Sequence, residues 1–91
     1  MAVNLQYSRK FLKHFNKRIV SNNKLSAQFN RKIKIFVQNP KNPSLKNHQL
    51  KGIKQHLHSF SIAKNFRVIY QQINKNHILF IDIGTHDQVY R

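Results

Sequence analysis

A chain of 91 residues with 40% apolar side chains, among them seven Phe and three Tyr, suffices for one modest core and is too rich in large apolar groups for disorder. Seventeen Lys and Arg oppose two acids, a formal charge of +15, which excludes catalysis by paired carboxylates and calls for a polyanion or an acidic protein as partner. The absence of cysteine excludes disulfides and thiolate metal sites. With no signal-like apolar run at the start and no bilayer-length segment, a single cytoplasmic domain over 1–91 is expected, without membrane contact.

Val3, Leu5 and Tyr7 alternate with polar neighbours and predict a short strand. Ser8 then suits the N-cap of a helix carrying Phe11, Leu12, Phe15 and Ile19 on one face and Lys and Arg on the other. Asn22-Asn23 interrupts it. A second helix carries Leu25, Phe29, Ile33, Phe36 and Val37 and ends before Asn39-Pro40, since proline disfavours helical geometry in the residue before it. Residues 39–51 read as a polar loop. After Gly52 the period becomes two: His56, His58, Phe60 and Ile62 share one face of a strand, with Leu57, Ser59 and Ser61 on the other. Phe66, Val68 and Tyr70 alternate with Arg67 and Ile69 in the next strand. Asn74-Lys75-Asn76 suits a hairpin turn into His77–Ile83, apolar enough to be central. The order β-α-α-β-β-β predicts an α+β fold, with an N-terminal helical hairpin packed on one face of a four-stranded, mainly antiparallel sheet. Ten of the cations lie in residues 1–45 and seven in residues 46–91, so the basic surface belongs to the folded body and not to a tail.

Three segments carry a family resemblance: His48-Gln49-Leu50-Lys51-Gly52, Phe66-Arg67-Val68-Ile69-Tyr70, and Ile83-Gly84-Thr85-His86-Asp87-Gln88-Val89-Tyr90. In order and separation they resemble the "HPLxG", "xRxIY" and "GTHxxxY" segments of the RelE/ParE toxin superfamily, most closely its YafQ-like ribonuclease branch. The resemblance implies a RelE-like fold and a toxin of a type II toxin-antitoxin system that cleaves messenger RNA on the ribosome. It also implies an acidic cognate antitoxin, a toxin–antitoxin hetero-oligomer, and no metal or cofactor.

Metal-free RNA cleavage needs a base for the ribose 2′-hydroxyl, a cation for the crowded phosphate and an acid for the departing 5′-oxygen. His86, where the chain leaves an apolar strand, matches the family's C-terminal catalytic histidine; a solvated terminal histidine is the plain alternative. Arg67 interrupts an apolar strand and points away from the Phe66, Val68 and Tyr70 face. It matches the arginine that holds the scissile phosphate. His48 corresponds to the histidine of the first segment, a partner in proton transfer, and Tyr90 to the aromatic that stacks on a base. Lys51, Lys54, Lys64 and Arg91 are candidate RNA contacts. His56 and His58, two apart, have metal-ligand spacing without a suggested third ligand, so surface or packing roles are the simpler reading. His14 and His77 invite no functional reading.

The sequence departs from the YafQ-like pattern at Asn65, where an acid is usual, and at Ser61, where a histidine is usual. Those departures keep open a catalytically impaired RNA-binding module. A ParE-like toxin that inhibits DNA gyrase is the other rival, although His86 and Tyr90 argue against it.

Overall fold

The computed structural model describes residues 3–54 and 56–90, the Ile53 side chain excepted. Strand β1 (Asn4–Tyr7) is followed by helices α1 (Arg9–Arg18) and α2 (Asn23–Gln38). Strands β2 (His48–Gln49), β3 (His58–Ser61), β4 (Phe66–Asn74) and β5 (His77–Thr85) come next, and a terminal turn of helix, α3 (His86–Val89), ends the chain. Single 3₁₀ turns stand at Pro43–Leu45 and Gly52–Lys54. No helix among the described residues is long and apolar enough to cross a membrane.

The helix boundaries follow local chemistry. The Ser8 hydroxyl accepts from the Phe11 N–H and caps α1, and the Asn22 carbonyl oxygen accepts from the Leu25 N–H to cap α2. Helix α2 stops at Gln38, one residue before Asn39-Pro40.

The sheet has five strands in the order β1-β5-β4-β3-β2. This corrects the four-stranded expectation. The extra strand is a two-residue ladder, His48 opposite Ser59 and Gln49 opposite His58, too short for alternation to reveal inside a polar stretch. The β2/β3, β3/β4 and β4/β5 pairs are antiparallel, while β1 lies parallel to β5, which the chain reaches only after both helices and strands β2 to β4. Strand β3 also begins two residues later than read, which leaves His56 in the turn before it.

Phe11, Ile19, Phe29 and Phe36 of the helical segment pack on Phe60, Val68, Tyr70, Phe80 and Ile83 of the sheet. Phe36 stacks on Phe60 with centroids 4.5 Å apart. A bulge sets the two faces of β5. Tyr70 pairs with Phe80 but Ile69 pairs with Asp82, so Ile81 is the extra residue. Phe80 and Ile83, three apart, both enter the core, and Asp82 turns away from it, buried at 4% exposure.

Helix α1 then does more than cover the sheet. Beyond Phe80 the edge of β5 is met by Ser8, whose hydroxyl donates to the Ile81 carbonyl at 2.8 Å, and by Arg18, whose Nη1 donates to the Ile83 carbonyl at 2.8 Å. Lys10, His14 and Arg18, one helical turn apart, converge on Asp82 at 3.7, 2.6 and 3.8 Å. The helix face read as carrying Lys and Arg opposite the apolar one is, along this column, the clamp on a buried carboxylate.

Candidate active site

The sheet face opposite the core carries an open cleft of about 310 Å³ lined by His48, Gln49, Leu50, Lys51, Arg67, His86 and Tyr90. Four residues expected from three separate segments, His86, Arg67, His48 and Tyr90, thus come together in one place. Each is held by a different local device.

His86 opens α3. Thr85 is its N-cap: the Thr85 hydroxyl accepts from the Gln88 N–H, and the Gln88 side chain accepts from the Thr85 N–H at 2.8 Å. The His86 N–H donates to the Asn65 carbonyl at 3.2 Å, which ties the helix to the β3–β4 turn. Gly84 lets two side chains approach closely, since a Cβ there would lie 2.5 Å from Arg18 Nη1 and 2.7 Å from Gln88 Oε1, which would have to move. Asp87 Oδ1 lies 3.7 Å from His86 Nδ1, at the surface. Helix α3 was not expected, although Thr85-His86-Asp87-Gln88 contains the capping-box spacing that marks it.

Tyr90, one turn beyond, sets its ring against His86 edge-on, centroids 4.4 Å apart. Its hydroxyl donates to Ser59 Oγ at 2.9 Å. Ser59, fully buried on β3, is a site residue that the sequence reading missed; the only signal was a small polar residue on the face opposite Phe60.

Arg67 sits in β4 between Ser61 on β3 and Gly84 on β5. Its Nε is sealed from solvent and has no hydrogen-bond partner among the described residues. A buried guanidinium donor without an acceptor is costly, and an anionic oxygen in the cleft is the partner that chemistry supplies.

His48 Nδ1 lies 3.0 Å from the Lys46 carbonyl. A carbonyl only accepts, so Nδ1 carries the proton and the neutral ring's lone pair is on Nε2. Lys46 itself adopts φ 51°, and Gly52, closing the same segment, has φ 73°, a left-handed conformation that side chains rarely take.

Of the expected RNA contacts, Lys51 lines the cleft. Lys54 lines a pocket between α1 and α3 that also contains Asp82, and Lys64 a separate one beside the start of α2. Arg91 lies outside the described residues. The two departures from the family pattern are occupied otherwise: the Ser61 hydroxyl donates to the Ala63 carbonyl at 2.8 Å, and Asn65 contributes its backbone carbonyl to His86. His58 stacks on Tyr70, and among the described residues neither it nor His56 belongs to a group of three or more potential metal ligands. His14 holds Asp82, and His77 Nε2 lies 2.8 Å from Gln6 Oε1.

Residues 3–91 match the family model described as the bacterial toxin of a type II toxin-antitoxin system, YafQ. No curated protein matches the chain. Among solved structures, YafQ from E. coli strain BL21(DE3) superposes with a TM-score of 0.80 at 15% identity, covering 98% of this chain and 99% of that one. The E. coli DinJ-YafQ toxin-antitoxin complex gives 0.79 at 15% identity with full coverage of both chains. A YoeB/ParE toxin from Agrobacterium tumefaciens gives 0.77 at 16% identity, covering 92% and 99%. At such identities the structures establish the shared fold; the family rests on the match over nearly the whole sequence. This chain belongs to the YafQ family of bacterial type II toxin-antitoxin toxins.

Proposed function

We propose that this toxin is a ribosome-dependent endoribonuclease that cleaves messenger RNA without a metal. The observation that carries the reading is the convergence of His48, Arg67, His86 and Tyr90 on one cleft, with the Arg67 Nε lacking a protein acceptor among the described residues. His48, proton on Nδ1, presents Nε2 as the base for the ribose 2′-hydroxyl. The 2′-oxygen attacks phosphorus, Arg67 neutralises the equatorial oxygens, and the 5′-oxygen leaves with a proton from His86. Tyr90, pinned at its hydroxyl by Ser59, orients the reacting nucleotide with its ring. Lys51 and the wider basic surface dock ribosomal RNA, and an acidic antitoxin, by analogy with the DinJ-YafQ complex, neutralises the same charge.

The test is cleavage on translating ribosomes with growth arrest as a parallel readout. His86→Ala and Arg67→Ala are expected to lose about 10²- to 10⁴-fold in rate. If both variants cleave and arrest growth as the parent does, the site assignment is wrong. Inhibition of gyrase supercoiling with no effect on ribosomes would establish the ParE-like alternative.

A further inference from the structure

A second groove, of about 650 Å³ against about 310 Å³ for the cleft, lies where the end of α2 meets β2, β3 and β4. The outer strand β2 separates the two. In its ladder His48 stands opposite Ser59 and Gln49 opposite His58, so the two side chains point to opposite faces of the sheet. His48 and Gln49 line both hollows. A chain leaving the cleft therefore crosses a strand two residues long to enter the groove.

The groove is pre-set. Asn47 donates through Nδ2 to the Pro40 carbonyl at 3.0 Å and accepts from the Tyr70 hydroxyl at 2.9 Å. The His58 ring stacks on Tyr70, centroids 5.3 Å apart and 21° between planes. His58 Nδ1 is sealed and without a partner among the described residues. Lys41 and Gln72 line the groove from exposed positions. A Gln72 amide oxygen left open while its Nε2 donates to the Asn74 carbonyl at 2.8 Å, an immobilised ring that stacks and a cation that holds a phosphate are the fittings of a single-stranded nucleic-acid subsite.

Transesterification supplies the demand, because a phosphodiester has a nucleotide on each side and the cleft is near the lower limit for one small ligand. We infer that the groove holds the base of a second nucleotide next to the scissile phosphate, with single-stranded RNA passing over β2 between the two hollows. The inference rests on the ribonuclease reading and names where its substrate continues.

A tetranucleotide with 2′-O-methyl riboses, which cannot be cleaved, is titrated into the full chain while backbone amide resonances are followed. Asn47, His58 and Gln72 should shift together with Arg67 and His86. A Lys41→Ala/Gln72→Ala double variant should bind the tetranucleotide about tenfold more weakly and a nucleoside 3′-monophosphate as the parent does. Shifts confined to the cleft, no binding, or equal tetranucleotide affinity for parent and variant would overturn the groove. Ribosomal cleavage by the parent, measured separately, tells the two readings apart: cleavage with shifts confined to the cleft leaves the nuclease without the groove. Shifts in both hollows with no cleavage leave an RNA-binding track without the nuclease.

Discussion

Each of the two acids in this chain stands beside a histidine, and the two pairs behave as opposites. Asp82 accepts from His14 at 2.6 Å and from the Ile83 N–H at 2.8 Å, with Lys10 and Arg18 close by, and its side chain is 6% exposed. Asp87 is 94% exposed and stands 3.7 Å from a half-exposed His86. Withdrawal from water strengthens the first pair and makes its separation expensive, whereas solvent screens the second to a small fraction of that. The partly buried histidine is committed to architecture, and the half-exposed one stays open to solvent and to the cleft. A histidine beside a carboxylate is thus no signature of catalysis; the number of other partners and the access of water decide.

The sharpest way to break the comparison is to exchange the effects of the two histidines. His86→Ala should abolish most cleavage, about 10²- to 10⁴-fold, with stability within about 0.5 kcal/mol of the parent. His14→Ala should do the reverse, lowering stability by about 1–3 kcal/mol while the folded fraction cleaves normally. Urea unfolding beside ribosomal cleavage reads both, and loss of activity in folded His14→Ala would merge the two regions into one. The acids extend the contrast. Asp82→Ala leaves Lys10 and Arg18 facing each other and the His14 ring without its carboxylate, and should cost about 3 kcal/mol, or about 12–24 °C in Tm; Asp87→Ala should move Tm by only a few degrees.

Gly84→Ala probes the place where the two regions touch. Its methyl would displace the Arg18 guanidinium from the Ile83 carbonyl and Gln88 from the capping box. A cost of about 1–3 kcal/mol is expected, with faster hydrogen exchange in α3 and reduced cleavage. The smallest effect concerns Tyr70, whose phenol burial pushes above its ordinary value of 10.0. The folded state then holds this proton more tightly than the unfolded one. Stability is insensitive to Tyr70 below about pH 10 and falls above it, and Tyr70→Phe should flatten that alkaline loss in a thermal series.

Much of the fold was legible because its signals are local. Ser8 and Asn22 are caps, proline ends α2, and alternation in 58–70 separates a core face from the face bearing Arg67. The two-residue β2 was not legible, since a ladder that short has no period, and α3 hid behind a chain end despite its Thr85–Gln88 spacing. The site residues were legible as three motif segments. Their convergence was not, nor were Ser59 under Tyr90, the Arg67 Nε without a partner among the described residues, or the column of Lys10, His14 and Arg18.

By itself the sequence determined a basic α+β domain, the order of all but two of its elements, and the residue types that metal-free RNA chemistry requires. Only the tertiary structure decided which histidine meets which acid. The bulge at Ile81 turns Asp82 away from the core and α1 runs along the same edge, so a partner 68 positions earlier takes the buried carboxylate. That choice depends on distance through space and on the exclusion of water, neither of which is a property of neighbouring residues in the chain.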